Sequence, residues 1–318
     1  MVEITELVVP DEVDDAFEAY VRQRNEMLAE VVGSSVLDED VVALRAIFSS
    51  TPERRRQLFT AHVDGKLAGR AMVTTRPLTP EAAAYLVVDV AAQHRRQGIG
   101  SALLETVEQA GAATGSTSWQ AAVSHRLLDG GDRLASPTGF GDLPLADAGV
   151  AFALARGYAL EQVVRVSRLD LGTGPDRPVD VAEGYRLLAW TGATPTDRRD
   201  DLAVLRTRMS TDAPMGELVT AVDAWDADRV RRHDDHVASG GQVVVTVAAE
   251  HFGSGSLAGF TEVVVTPGMA RAVQEDTLVL REHRGHGLGL AMKTQAVDRK
   301  STRLNSSHSG ESRMPSSA

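Results

Sequence analysis

The chain has 318 residues, enough for two domains of ordinary size, and its composition of 43% hydrophobic and 24% charged residues is that of a folded protein. It contains no cysteine, which excludes disulfides and thiolate metal sites. Its net charge of −11 argues against non-specific nucleic-acid binding, which needs clustered basic residues.

The N-terminal segment and the apolar runs argue against export and against a membrane span. Residues 1–15 are acidic and lack the basic and apolar regions of a secretory signal. No apolar run approaches the roughly 20 residues that a bilayer-spanning helix requires. We therefore expect a cytoplasmic protein with no membrane or nucleic-acid partner, either a monomer or a homodimer.

The first half of the chain alternates predicted strands and helices. Asp64-Gly65, between two apolar alternating runs, predicts a tight hairpin turn. The predicted strands are Ile4–Val9, Leu58–Val63, Leu67–Thr75, Ala83–Val90, Trp119–Ser124 and Leu160–Leu169. The predicted helices are Asp11–Glu30, Asp38–Phe48, Ile99–Ala113 and Ala146–Ala155.

The same order restarts after a stretch poor in apolar residues, 171–183, which predicts a linker. The next predicted strands are Tyr185–Trp190, Gln242–Ala249, Leu257–Val265 and Ala270–Leu280. The next predicted helices are Asp197–Met209, Asp223–Ala238 and Leu288–Val297. The repetition predicts a duplicated fold, with one domain over residues 1–170 and a second over residues 184–297.

The pattern stops at Asp298. Residues 298–318 include seven serines and few apolar side chains, a composition typical of disorder. Their order resembles a translated sequencing adapter, and the alternative is a natural disordered tail. On the first interpretation the tail is non-native. The second domain is then truncated near Val297, and residues 270–280 form an unpaired strand edge in a domain of low stability and no activity.

Two copies of a glycine motif are the main functional signal. Arg95–Gly100 reads RRQGIG and Arg284–Gly289 reads RGHGLG, each after an apolar run and before an amphipathic stretch. Unpaired N–H groups at a helix N-terminus bind phosphate, glycine permits close approach, and arginine adds charge. Leu103 and Met292 stand where a dinucleotide motif has its third glycine, and neither copy continues as a Walker loop. The remaining class of ligand is the pyrophosphate of coenzyme A.

This motif, between a buried strand and an amphipathic helix, resembles motif A of the GNAT family of N-acetyltransferases. The resemblance covers a complete copy, roughly residues 3–170, and a second copy, roughly 184–297, that ends after its motif A helix. The layout is similar to that of tandem acetyltransferases of actinobacterial type, of which mycothiol synthase is one. The implied fold is α/β, with a mixed sheet of α+β type in two tandem GNAT-like domains.

The resemblance also implies a function. The chain would use acetyl-CoA as co-substrate and no metal. It would transfer the acetyl group to an amine of a small molecule, which attacks directly in a ternary complex. The alternative is a non-catalytic protein that binds acyl-CoA.

The same resemblance implies the residues of the acetyl-CoA site. The pantetheine arm would pair with the strand before each motif, at Val88, Asp89 and Val90 and at Leu278, Val279 and Leu280. In the first copy the diphosphate would lie on Arg95, Arg96, Gln97, Gly98, Ile99, Gly100 and Ser101. In the second copy it would lie on Arg284, Gly285, His286, Gly287, Leu288 and Gly289.

The catalytic side chains follow the family less closely. The leaving-group acid is often a tyrosine four residues before Gly-Phe or Gly-Tyr, but Ala153 stands there in the first domain. Either Tyr85 substitutes for it or this domain only holds a ligand. In the second domain Glu262 and Asp276 are candidate bases, acting directly or through water. Each carboxylate is equally well explained as a solvated side chain on a strand.

Overall fold

The computed structural model of the chain describes residues 2–79, 82–126, 130–170, 180–212 and 221–297. These residues form two compact units, the first built mostly from residues before 167 and the second mostly from those after it. Most of the predicted linker and all of the predicted tail lie outside the described residues. Within the described ranges, no helix is both long and apolar enough to cross a bilayer.

The first unit is built on a five-stranded mixed sheet in the order β1-β2-β3-β4-β5. Neighbouring strands are antiparallel except β4 and β5, which are parallel. The strands are β1 (Val2–Leu7), β2 (Arg55–Val63), β3 (Lys66–Thr75), β4 (Ala84–Val90) and β5 (Trp119–Ala121). The helices are α1 (Asp15–Val32), α2 (Val41–Phe48), α3 (Ile99–Ala112) and α4 (Ala148–Ala155). A short hairpin of β6 (Arg133–Ala135) and β7 (Asp142–Pro144) precedes α4.

Helices cover both faces of this sheet. Leu103 of α3 packs with Leu86 on one face, and Tyr20 of α1 packs with Val87 on the other. Because successive strand residues point to opposite faces, the alternation along β4 decides which helix each side chain meets. The face that α1 and α2 cover is called the α1–α2 face below.

The second unit repeats this arrangement on a four-stranded antiparallel sheet in the order β11-β10-β9-β8. The strands are β8 (Tyr185–Thr191), β9 (Val243–His251), β10 (Leu257–Val265) and β11 (Ala272–Val279). The helices are α5 (Arg199–Asp212), α6 (Ala227–Ser239) and α7, which covers residues 288–297. Leu205 and Phe260 lie in the core that α5 and α6 share with the sheet, called the α5–α6 face below, and Met292 of α7 packs on the other face.

Aspartate side chains mark where several helices begin. Asp14, Asp40, Asp147 and Asp226 each accept a hydrogen bond from a backbone N–H in the first turn of α1, α2, α4 and α6, respectively. Such a cap satisfies an N–H group that the helix itself leaves unpaired. The helices therefore start after these aspartates, a few residues from the starts that hydrophobic spacing predicts.

Two details of the first unit differ from the sequence-based expectation. The predicted strand at Leu160–Leu169 is wrong, because these residues join no sheet, and Val164, Val166 and Leu169 are exposed. Alternating side chains alone do not make a strand without a partner edge. The β6–β7 hairpin was not predicted, since strands of three residues are too short to show a period. The other predicted elements are present with shifted ends, and the Asp64-Gly65 turn has the two left-handed φ angles expected of such a hairpin.

Candidate functional site

The first glycine loop, residues 91–98, joins β4 to α3. A 3₁₀ turn, Ala92–His94, follows the strand, and Arg96 and Gly98 then adopt left-handed φ angles of 62° and 84°. Arg95 donates from Nε to the Val90 carbonyl at 3.0 Å, which ties the loop to the end of β4. Left-handed backbone suits glycine and strains arginine, so the loop holds Arg96 in a conformation that arginine rarely adopts.

The second glycine loop, residues 280–287, has the same geometry. After the 3₁₀ turn Arg281–His283, Gly285 and Gly287 have φ angles of 86° and 68°. Arg284 donates from Nε to the Val279 carbonyl, again at 3.0 Å. Both motif arginines thus hold their loop in shape through one N–H group. Gly285 stands where the first loop has Arg96, while Arg281 and Glu282 stand where the first loop has Ala92 and Gln93. Each loop therefore has two arginines, and Glu282 lowers the net positive charge of the second.

The start of α3 is available to an anion. Gly98 occupies its N-cap position and provides no side-chain cap, unlike the aspartates that begin α1, α2, α4 and α6. The first intrahelical bond from this end runs from Ala102 N–H to the Gly98 carbonyl, and Ala291 N–H bonds to the Gly287 carbonyl in the same way at α7. The amides that precede these bonds, such as those of Gly100 and Ser101, are the groups that bind phosphate at helix N-termini.

An open strand edge lies beside each glycine loop. Strands β4 and β5 pair only from Ala84 with Trp119 to Leu86 with Ala121, so within the described residues Val88, Asp89 and Val90 have no ladder on that side. In the second unit no strand of the described residues pairs with the outer edge of β11. Its residues Leu278 and Val279 pair only inward, with β10. Free N–H and C=O groups on such edges can bind an extended amide-bearing chain such as pantetheine.

Two glycines, Gly69 and Gly259, lie opposite these edges and were not predicted from the sequence to have a role. Gly69 pairs with Val90, and Gly259 pairs with Val279 at the same register. A Cβ on Gly69 would lie 2.9 Å from the Asp89 carbonyl oxygen, and one on Gly259 would lie 2.6 Å from that of Leu278. Only glycine fits such close contacts with backbone. The signal was present in the sequence, where Leu-Ala-Gly occurs at 67–69 and again at 257–259.

The first unit has a partly buried ion pair near its candidate ligand edge. Arg70, on β3, forms an ion pair with Asp89 and donates from Nη1 to the Tyr20 hydroxyl at 3.3 Å. Its guanidinium carbon also lies 5.5 Å from the centre of the Tyr20 ring. The Asp89 carboxylate, on the α1–α2 face, is therefore neutralised by a cation of its own unit.

Tyr85, the candidate acid of the first unit, is 39% exposed on β4. Partial burial of the phenol raises its pKa, and the negative charge of Asp89 raises it further. A raised pKa keeps the hydroxyl protonated at neutral pH, as an acid requires. At the position of the usual tyrosine, Ala153 lies on α4 and offers no proton donor.

In the second unit the two candidate bases, Glu262 and Asp276, lie beside the same arginine. Arg206 of α5 donates from Nη2 to both oxygens of Glu262 at 2.8 Å, and its Nη1 lies 3.8 Å from an Asp276 oxygen. Its guanidinium also faces the rings of Trp225, at 4.8 Å, and Phe260, at 5.7 Å. The α5–α6 face therefore holds two carboxylates around one guanidinium.

These two carboxylates differ in their access to a ligand. Glu262 is 6% exposed and has both oxygens bound to Arg206. Burial raises its pKa, with Arg206 opposing and Asp276 adding to the rise. The side chain of Asp276 is 46% exposed. Of the two carboxylates, that of Asp276 is therefore the more accessible from solvent.

A group of aromatic rings supports the second glycine loop. Tyr185 of β8 shares a hydrogen bond of 2.9 Å with His283 Nδ1, and its ring centre lies 5.3 Å from that of His286 and 5.2 Å from that of His251. Among the described residues, no group of three or more histidine or carboxylate side chains is arranged to hold a metal ion.

One segment of the first unit matches a known family model. Residues 15–127 match the model of the acetyltransferase (GNAT) family. The matched segment begins with α1, extends past β5 and includes the first glycine loop. Among curated protein sequences, none matches the chain.

Solved structures extend the similarity to both units. A tandem GNAT protein from the clavulanic acid biosynthesis pathway, solved without AcCoA, is 22% identical, with a TM-score of 0.70 over 95% of this chain and 86% of that chain. A GCN5-related N-acetyltransferase from Sphaerobacter thermophilus is 16% identical, with a TM-score of 0.56 over 94% of this chain and 83% of that chain. At these identities the similarity shows the fold alone. It confirms the predicted fold class, an α/β chain with a mixed sheet and two GNAT-like copies in tandem.

Proposed function

We propose that this chain is an acetyl-CoA-dependent N-acetyltransferase that acetylates an amine of a small molecule. The observation that carries the proposal is an uncapped helix start behind a left-handed loop, beside an open strand edge, present in both units. The loop suits a diphosphate and the edge suits the amide-bearing arm that follows it in coenzyme A. The family match of residues 15–127 supports an acetyl group as the cargo.

Bound acetyl-CoA would supply a thioester that an amine can attack directly, without a protein nucleophile. The residues then have to remove a proton from the ammonium form of the acceptor. Asp276 is the better placed base in the second unit, because its carboxylate is half exposed, lies on β11 and precedes the proposed pantetheine-pairing residues. Glu262 instead anchors Arg206, which lies between the two carboxylates.

A calorimetric titration with acetyl-CoA, followed by a panel of small amines with detection of released thiol, tests the proposal. We expect saturable binding and amine-dependent thiol release. Absence of binding would contradict the proposal for the whole chain.

Substitution of the proposed base tests its role separately. We expect Asp276→Asn to lower amine-dependent thiol release by about 10²-fold or more while acetyl-CoA still binds, because general-base catalysis contributes that much. Glu275→Gln, the adjacent exposed carboxylate on β11, is the matched control and should leave the rate nearly unchanged. Equal rates for the two variants would remove Asp276 from the mechanism.

A second candidate is an acyl-CoA-binding protein without transferase activity, and the first unit favours it. Ala153 replaces the usual acid, and Asp89 is neutralised by Arg70. Under this candidate acetyl-CoA binds, but no amine in the panel releases thiol. Tyr85→Phe then changes nothing, whereas a catalytic first unit would lose most of its thiol release with that variant.

A further inference from the structure

Arg156 ends α4 and reaches the start of α3. It is the C-cap residue of α4, and its Nη2 donates to the hydroxyl of Ser101, the third residue of α3. Its guanidinium carbon lies 5.5 Å from the centre of the Phe152 ring. That ring in turn comes within 3.7 Å of the point where a Cβ on Gly100 would lie. Helix α4 thus brings a cation to the uncapped N-terminus of α3.

In the part of the chain that the structure describes, no carboxylate neutralises the charge of Arg156. Among the described residues, no acidic group lies within ion-pair distance of its guanidinium, which is exposed. The motif residue Arg95 differs, since it donates to the Val90 carbonyl and lies 3.5 Å from a Glu30 oxygen. A hydroxyl is a weak partner for a guanidinium compared with a phosphate, which binds it through charge-assisted bonds.

We propose that Arg156 is a phosphate-binding residue of the first glycine loop. On binding, its guanidinium exchanges the Ser101 hydroxyl for a phosphate oxygen of the ligand, while the α3 amides hold the same ligand from the other side. The inference rests on the proposed binding of acyl-CoA by the first unit. The phosphate is either the diphosphate or the 3′-phosphate of coenzyme A, which share this chemistry.

Within the described residues of the second unit, no helix brings an arginine to the loop as α4 brings Arg156, and the loop's own Arg281 lies 4.0 Å from an Asp212 oxygen. Gly285 replaces Arg96 there, and no counterpart of α4 follows α7 in the described part of the chain. We therefore expect the first glycine loop to bind CoA more tightly than the second.

The test measures CoA binding at the first glycine loop alone. In a parent chain carrying Gly287→Val, the second loop is disabled, because valine does not tolerate the left-handed φ of 68° at that position. CoA binding is measured by calorimetry in this parent and in its Arg156→Gln, Arg156→Lys and Arg55→Gln derivatives. Arg55 is exposed and lies on β2 opposite Thr75, at the other end of the sheet from the loop, so it controls for loss of a positive charge.

We expect Arg156→Gln to weaken CoA binding roughly tenfold, the size of effect typical of one hydrogen bond to a charged group. Arg156→Lys should lose less, since it keeps the charge, and Arg55→Gln should stay within about twofold of the parent, because an exposed charge this distant is screened. With 3′-dephospho-CoA, an unchanged penalty assigns Arg156 to the diphosphate, and a vanished penalty assigns it to the 3′-phosphate.

The outcome that overturns the inference is equal CoA affinity for Arg156→Gln and Arg55→Gln in chains of equal thermal stability. A role of Arg156 in folding alone would lower the melting temperature of Arg156→Gln while its CoA affinity per folded molecule stays equal to that of Arg55→Gln, which also overturns it. No CoA binding by the wild-type chain would instead be the failure of the proposed function.

Discussion

Gly69 and Gly259 let β3 and β10 approach the strand that leads into each glycine loop. At both positions a Cβ would lie closer to a carbonyl oxygen than van der Waals contact allows, 2.9 Å and 2.6 Å. In each unit this carbonyl lies one residue before the strand carbonyl that accepts a hydrogen bond from the motif arginine. Asp89 precedes Val90, and Leu278 precedes Val279. These glycines therefore allow the close approach of the strands at the point where each loop begins.

Gly259→Ala should destabilise the protein by about 1–3 kcal/mol, because the strands must separate to admit the methyl group. Gly289→Ala in α7 is the matched control. Its Cβ would have no neighbour closer than 4.0 Å, and alanine favours helix, so this variant should be neutral or gain up to about 1 kcal/mol. Urea unfolding of both variants measures the difference. Equal stability would show that β10 and β11 relax freely at this point.

Tyr20 should make the protein sensitive to alkali. Burial raises the pKa of its phenol above the ordinary value, with Arg70 opposing the rise. As the pH increases, the unfolded chain loses this proton first, near pH ~10, and is stabilised by doing so. The contribution of Tyr20 to stability is thus complete below about pH 10 and is lost as the pH rises through the folded pKa.

Comparing the free energy of unfolding of wild type and Tyr20→Phe at about pH 8 and about pH 10.5 isolates this effect from that of other tyrosines. The wild type should lose more stability between the two pH values than the variant does. Parallel losses would mean that the Tyr20 phenol ionises equally in both states.

At the scale of elements, Arg206 links α5 to β10 through its hydrogen bonds to Glu262. The pair that it forms with Glu262 is 6% exposed at each partner, and removing one partner of such a pair leaves an uncompensated charge. The two partners differ in how they can respond. Glu262, whose pKa burial raises, can take up a proton, whereas a guanidinium stays charged at any accessible pH.

We therefore expect Glu262→Leu to cost about 3–5 kcal/mol and Arg206→Met to cost less. The double variant should recover much of the loss, because neither charge then remains buried. A double-mutant cycle on urea unfolding measures this coupling. Additive losses would show that the two side chains do not stabilise one another.

Sequence periodicity predicted most of these elements, but it did not show which side chains of different elements contact each other. The apolar spacing along α3 and along β10 locates both, and the glycine motif locates the loops. Nothing in the spacing shows that Arg206 reaches Glu262 across 56 positions, or that Arg70 reaches Asp89, because such contacts depend on how α5 and β3 pack. The failed strand at Leu160–Leu169 has the same cause, since strand formation depends on a partner that local sequence does not reveal.

At the scale of the molecule, duplication preserved the loop geometry and changed the charges around it. Both loops have a Nε bond of 3.0 Å from the motif arginine to a strand carbonyl and two left-handed residues. On the α1–α2 face of the first unit, Arg70 on the strand faces Tyr20 on the helix. On the α5–α6 face of the second unit, Arg206 on the helix faces Phe260 on the strand. The repeated motif and element order were visible in the sequence. The sequence did not show that the arginine lies on the strand in the first unit and on the helix in the second.

Whether the two glycine loops bind acetyl-CoA is tested most directly by calorimetric titration of the wild-type chain, of Gly98→Val and of Gly287→Val. Valine strains the left-handed backbone on which each loop depends, at φ 84° and 68°. We expect saturable binding by the wild type, with a large loss of affinity or of binding capacity in Gly98→Val and a smaller loss in Gly287→Val. Binding that neither variant weakens would contradict this expectation, because acetyl-CoA would then lie elsewhere than on the duplicated glycine loops.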